Sequence, residues 1–326
     1  MSNFRTIVDI PDFGWQINYA DKLMTIGSCF SENIGERLQQ LKFDVDVNPM
    51  GIVYNPISVQ NSLKILMRKR LFSEDDLFEL NGQWNSWFHH SRFSNTDKLK
   101  TIEVINNRIE ASHAQLTRAN YLLITFGTSW VYEYKGNGLV VSNCHKVPAK
   151  AFQRYRLTPR AIIDDSKELL EQLWELNPNL KVVFTVSPIR HWKDGAVENQ
   201  LSKSTLLLAI DRLIKGFGND KLAYFPSYEI MMDDLRDYRF YADDMLHPSA
   251  LAVDYIWEKF SDVLIDKESQ SVFNSIEKMN KAMLHRPVNA DSEEHQKFKK
   301  KQLQKVMQLQ KKYPNLNFSE EEKYFG

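Results

Sequence analysis

The chain has 326 residues, 43% of them hydrophobic, and 42 Lys+Arg are balanced by 42 Asp+Glu. That length suffices for one large α/β domain with an appendage. Zero net charge argues against a dedicated nucleic-acid binder, no run reaches the roughly 18 apolar residues of a membrane helix, and the start MSNFRTIVDIPDFGW lacks the apolar core of a signal peptide. The two cysteines, Cys29 and Cys144, show no metal-type spacing, so free thiols in a reducing cytoplasm and no metal site are expected.

Residues 22–27 (KLMTIG) read as a short buried strand and 31–41 as a helix, with Phe30, Ile34, Leu38 and Leu41 on one apolar face. Ser31 is placed to cap that helix and Glu32 suits its positive end. Gly27-Ser28-Cys29 is then the connection. Residues 43–47 (FDVDV) alternate as a second strand, Asn48-Pro49-Met50-Gly51 turns, and Tyr54-Asn55-Pro56 begins a helix through about residue 70. An aromatic loop (Trp84, Trp87, Phe88, His89, His90, Phe93) precedes a helix at about 98–117. Buried strands follow at 121–126 and 181–186, with a hairpin at 131–141 and a helix at 158–176 between them. A helix at about 197–215, a short strand at 223–226 and a helix at about 249–264 complete the pattern. Alternating strands and helices predict a parallel sheet covered on both faces, with functional groups at the carboxyl ends of strands. Residues 266–326 lack strand signals. Phe298, Leu303, Val306 and Leu309 mark an amphipathic helix over 293–312 that packs weakly, its lysines forming a solvated face.

A cysteine at a helix N-terminus sits where the backbone dipole favours the thiolate. Cys29 is therefore a candidate nucleophile, with Ser28 its rival; the bland alternative is a buried small residue. Asp244 precedes His247 by three positions, near enough to fix the imidazole tautomer, and Asp243 competes for that role. A nucleophile, a base and an orienter are the parts of covalent acyl transfer. Gly127-Thr128-Ser129-Trp130, after a buried strand, offers N–H groups and the Ser129 hydroxyl to an oxyanion, and Gly51 offers another N–H. The plain alternative for both is a turn. Arg190 suits an anionic substrate group and His191 a second base; an ion pair and a hydrogen-bonded core histidine are the structural alternatives. His90 and the segment Asn143-Cys144-His145-Lys146 suit a pocket mouth.

The motif Gly27-Ser28-Cys29-Phe30-Ser31 resembles the signature of the GSCFA family, with Ser31 where the family has alanine. Gly51-Ile52-Val53-Tyr54-Asn55-Pro56, Gly127-Thr128-Ser129-Trp130, Asn143-Cys144-His145-Lys146 and Ser187-Pro188-Ile189-Arg190-His191 extend the resemblance over about residues 20–260. The chain is similar in turn to the wider SGNH/GDSL hydrolases. That resemblance implies a three-layer α/β/α sandwich with a mostly parallel, flavodoxin-like sheet. It lays Gly27, Ser28 and Cys29 on Gly-Asp-Ser, with Cys29 at the nucleophile position, and Asp244 and His247 on Asp-x-x-His. Ser129 stands where an oxyanion-hole asparagine would, and Gly51 on the second-block glycine.

The expectation is an SGNH-like domain over residues 1–265 and a helical, lysine-rich extension over 266–326. Its function is that of an acyl-ester hydrolase or O-acyltransferase. Cys29 (or Ser28), His247 and Asp244 are expected to catalyse; Gly51, Gly127 and Ser129 to form the oxyanion hole; Asn55, His90, His145, Arg190 and His191 to bind substrate. The substrate would be a glycan or small-molecule ester, with no nucleic-acid or membrane partner and no cofactor beyond an acyl-donor cosubstrate if it is a transferase. The alternatives are a non-catalytic carbohydrate-binding module built on the aromatic loop, or an interaction protein docking through its basic C-terminal helix.

Overall fold

The computed structural model describes residues 6–284 and 292–326. The first five residues of the N-terminal stretch and residues 285–291 of the extension lie outside it. Five parallel strands form the central sheet: β1 (Lys22–Gly27), β2 (Asp44–Val47), β3 (Tyr121–Phe126), β4 (Lys181–Val186) and β5 (Leu222–Phe225). Their spatial order is β2-β1-β3-β4-β5, the flavodoxin-like doubly wound order. Parallel strands covered on both faces read as near-continuous apolar runs, as β3 and β4 do, whereas the edge strand β2 alternates. Met24, Ile26, Leu122, Ile124, Val182 and Phe184 face one core, and Leu23, Tyr121, Leu123 and Val183 face the other.

The first core is closed by helices α2 (Pro56–Met67), α3 (Lys98–Leu116), α4 (Pro159–Leu176) and α5 (Gly195–Phe217). The second is closed by α1 (Cys29–Gln40) and α6 (Ala250–Leu264). Short polar side chains start several of these helices by accepting orphan N–H groups: Asn55 from Ser58, Asp97 from Lys100, Thr158 from Ala161 and Ser249 from Ala252. At α1 the expectation shifts. The cap position is Ser28, not Ser31; the helix opens at Cys29, and Ser31 is buried inside it.

Two antiparallel pieces sit on this frame. Trp130–Tyr134, Leu139–Val140 and Phe152–Arg156 form a three-stranded sheet, of which the last strand has no clear sequence signal; Phe78–Leu80 and Gln83–Asn85 form a hairpin.

The C-terminal helices α7 (Lys267–Leu284), α8 (Glu293–Lys312) and α9 (Ser319–Phe325) are not loosely attached. Val272, Ile276, Val306, Phe318 and Phe325 share one core with Phe30, Ile34 and Leu38 of α1. Arg37 pairs with Glu277 at 2.7 Å, and Lys42 pairs with the buried Glu321 at 2.5 Å. Burial of so many large side chains, each worth about 1.5–3 kcal/mol, outweighs the weak packing that lysine-rich composition suggests. The lysines themselves, Lys297, Lys300, Lys301 and Lys305, are exposed as expected. No helix among the described residues is long and apolar enough to cross a membrane.

Candidate active site

The β1–α1 connection creates the site. Gly27 has φ +142°, and a Cβ there would lie 2.1 Å from the Thr125 carbonyl oxygen of β3, so only glycine lets β1 turn so tightly beside its neighbour. Ser28 donates its N–H to that same carbonyl, and α1 begins at once. Cys29 thus sits at the mouth of a cleft of about 600 Å³ at the carboxyl ends of β1, β3 and β4. His247, more than two hundred residues later, lines the same cleft.

His247 arrives on the loop before α6, half exposed, with its Nδ1 2.5 Å from Asp244 Oδ2. Asp244 Oδ1 also accepts the N–H groups of Leu246 and His247, each at 2.9 Å. The His247 N–H and ring, with the Leu246 N–H, hold the Asp244 carboxyl down to about 2. The carboxylate accepts at Nδ1, so Nε2 is left as the free basic nitrogen. Asp243 is exposed and makes no bond to the ring among the described residues, which separates the two rival orienters. Cys29 and His247 line one cleft without a hydrogen bond between them.

The two rival nucleophiles differ in access. The Ser28 hydroxyl is buried without a partner, whereas the Cys29 thiol is half-buried on the cleft wall. Burial pushes the Cys29 thiol up, and Glu32 adds to this; the N–H groups of Cys29 and Phe30 and the Lys203 ammonium oppose it. The expectation that the helix end would favour the thiolate is therefore overridden by desolvation. Cys144 is also free, so no disulfide joins it to Cys29.

Of the other sequence-predicted residues, Asn55, His90, Arg190 and His191 line the cleft. Four do not. Ser129 is fully buried, its N–H and hydroxyl both turned to the Ser202 hydroxyl at 2.8 and 3.1 Å. Gly127 gives its N–H to the Tyr54 carbonyl at 2.7 Å. Gly51 closes a turn by donating to the Asn48 carbonyl, and a Cβ there would lie 2.2 Å from His90 Cβ; the neighbouring Ile52 takes the place on the wall. His145 is buried edge-on against the Phe78 and Trp87 rings with Nε2 on the Ser86 carbonyl at 2.8 Å, while Asn143 and Cys144 reach the cleft. Donors left are the α1 N–H groups at the thiol and, lining the same cleft, Asn55, whose Oδ1 caps α2 and whose Nδ2 is unengaged among the described residues.

Sequence reasoning missed Lys203. It is 0% exposed, and its Nζ donates to the carbonyls of Gly127 and Ser187, just past the ends of β3 and β4, at 2.7 Å each. Burial pushes its ammonium down to about 7, opposed by the Cys29 sulfur. The available signal was its spacing: Lys203 falls on the same α5 stripe as Leu206, Ile210 and Leu213. The walls also include Tyr54, Trp130, Tyr132 and Arg154, the last paired with Asp194.

The aromatic loop is engaged internally. Trp87 stacks on Phe78 at 3.8 Å and on Tyr134 at 4.8 Å, and His89 and Phe93 are buried. These contacts engage much of the ring surface that the carbohydrate-module alternative requires, while Trp84 and Phe88 stay partly exposed. Burial pushes His89 down to about 3, with His145 adding to this, and pushes His191 down to about 4, with Lys203 adding there. Both lie below the unfolded value of about 6.5. Between the two values the unfolded chain binds more protons, so stability falls as pH is lowered through that window. Urea denaturation at pH 4.5 is expected to give a stability lower than at pH 7 by on the order of 5 kcal/mol from these two groups. An unchanged midpoint would contradict their neutral burial.

Among the described residues no cluster of three or more His, Cys, Asp or Glu is arranged to hold a metal. Residues 22–260 match the model of the GSCFA family, and 276–326 that of the GSCFA domain protein, C-terminal domain. No curated protein matches the chain. Among solved structures it is similar to a family 3 carbohydrate esterase of Clostridium thermocellum, at 10% identity, covering 78% of this chain and 98% of that one, with a TM-score of 0.36. It is similar also to the acetyl xylan esterase Est2A from the rumen bacterium Butyrivibrio proteoclasticus (10% identity, 80% and 66% covered, TM-score 0.38). A carbohydrate esterase family 3 protein from Talaromyces cellulolyticus gives 11% identity, 79% and 99% covered, and a TM-score of 0.35.

Proposed function

The chain belongs to the GSCFA family, and from that premise we propose that it is a cysteine-dependent enzyme acting on acyl esters, by hydrolysis or by O-acyl transfer. One observation carries this reading: a thiol and an Asp-held imidazole from opposite ends of the chain line the same cleft. Burial keeps Cys29 a thiol at rest, so it needs a base. His247 Nε2 takes the Sγ proton as sulfur attacks the acyl carbon, and Asp244 stabilises the imidazolium formed. The α1 N–H groups and Asn55 Nδ2 are donors for the tetrahedral oxyanion. The C–O bond then breaks, and the leaving alcohol takes its proton from His247. Water, or an acceptor hydroxyl, next gives its proton to His247 and attacks the thioester, releasing an acid or a new ester and restoring the thiol.

A cleft walled by Tyr54, Trp130 and Tyr132 but studded with Asn55, Asn143 and Arg154 suits an alcohol that is polar at its edges and carries C–H faces. A glycan ester is the substrate class that fits. The cytoplasm is the compartment we assign, on the two free thiols. The test is a panel of acetylated sugars and aryl acetates offered to the native protein and to a folded Cys29→Ala variant. Turnover that depends on the thiol is expected. Equal turnover by the variant removes Cys29 from the chemistry.

A further inference from the structure

A second groove of about 560 Å³ adjoins the cleft and shares Arg190, Trp192 and Leu246 with it. Tyr238 and Tyr241 line its far side, their ring centroids 6.1 Å apart and Tyr238 76% exposed. Much of its charged rim is paired within the fold, Arg236 with Asp233 and Asp237 with Arg239, each at 2.9 Å, and the Asp244 carboxylate is engaged by the His247 ring. Arg190 is the exception. Among the described residues it has no carboxylate partner; Nη2 makes only a 3.4 Å bond to the Ala196 carbonyl, and Nε is buried with no partner at all. Its guanidinium lies 5.6 Å over the Trp192 ring, on the wall common to both depressions.

The two Nη groups of a guanidinium without a carboxylate partner can bind a planar oxyanion through paired hydrogen bonds. Exposed tyrosines supply apolar faces with polar tips, which match a sugar ring. We propose that this groove is a subsite for an acidic sugar unit, its carboxylate or phosphate bound by Arg190 and its ring lying against Tyr238 and Tyr241. The inference deepens the glycan-ester reading and rests on it for the identity of the molecule that spans both depressions. Continuity through Arg190 and Trp192 places the anionic unit beside the cleft that holds Cys29.

The experiment reads binding, so it is independent of turnover. Methyl glucuronide, glucose 6-phosphate and methyl glucoside are titrated into the full-length protein and followed by saturation-transfer NMR and calorimetry. At least one of the two anionic sugars is expected to bind about tenfold or more tightly than the glucoside, and which one does so tells carboxylate from phosphate. Arg190→Gln should abolish that preference, and Tyr238→Ala should weaken the anionic and neutral sugars alike. Equal binding of all three, no binding, or a preference that survives Arg190→Gln would overturn the proposal. Binding with this pattern in a protein that forms no acyl-enzyme would leave the subsite standing and overturn the catalytic reading; turnover with no anion preference would do the reverse.

Discussion

Replacing His247 with Ala is expected to lower the acylation rate about a hundred- to ten-thousand-fold, the range for loss of a positioned general base. The effect is large here because burial holds Cys29 as a thiol, so proton removal cannot be left to solvent. Asp244→Asn should give a smaller loss of the same kind. The carboxylate makes no substrate contact in this account; it accepts at Nδ1 and so keeps Nε2 basic. Its own titration lies near 2, below any working range, so the acid limb of the rate profile does not report it. Single-turnover acylation of an aryl acetate, followed by stopped flow, separates these losses from weakened binding. A His247→Ala protein that acylates at the native rate would assign the base elsewhere, and His191, on the same cleft wall, would be the next candidate.

Lys203→Met is expected to damage both stability and reactivity. The side chain ties the Gly127 and Ser187 carbonyls together in a site without solvent, and methionine leaves both acceptors unpaired at a cost of about 1–3 kcal/mol each. Thermal or urea melts read that loss. A second readout separates the charge from the packing. The ammonium favours the Cys29 thiolate, so below its own titration near 7, where the lysine is charged, iodoacetamide should alkylate Cys29 faster in the native protein than in the variant. The buried amine also titrates near 7, whereas an unfolded lysine holds its proton to about 10.4. The unfolded chain therefore binds more protons between these values, and this residue makes stability rise with pH across that window. The native-minus-variant difference should show that rise. A variant with native stability and an unmoved alkylation profile would show that the lysine neither braces the strand ends nor acts on the thiol.

How much of this was written in the sequence follows from how local each cause is. Four of the five strands were legible because burial on both faces favours near-continuous apolar runs and the edge strand β2 by its alternation, and the succession of strands and helices then points to a parallel sheet. The Asp244–His247 pair was legible because three residues of separation let the two groups meet within one local turn, as they do in the loop before α6. The oxyanion donors were not. The N–H of Gly51 is taken by its own turn, at the Asn48 carbonyl, and that of Gly127 by a tertiary partner, the Tyr54 carbonyl. Ser129 and His145 went astray for the same reason: Ser202 and Ser86 are distant in sequence and adjacent in the fold. The Cys29 thiol shows a competition that composition does not reveal, since the helix end favours the charged form and the surrounding core disfavours it more. The lysine-rich tail reads as peripheral because a few spaced apolar residues, Val306 among them, carry its packing.

The central claim is that the Cys29 sulfur becomes acylated. Rapid mixing of the full-length protein with 4-nitrophenyl acetate, acid quenching and intact-mass analysis with peptide mapping tests it in one step. The account predicts a single acetyl group on Cys29, absent from Cys29→Ala and formed far more slowly in His247→Ala. Consumption of the ester with the acetyl group on Ser28, or on no residue of the chain, would contradict it.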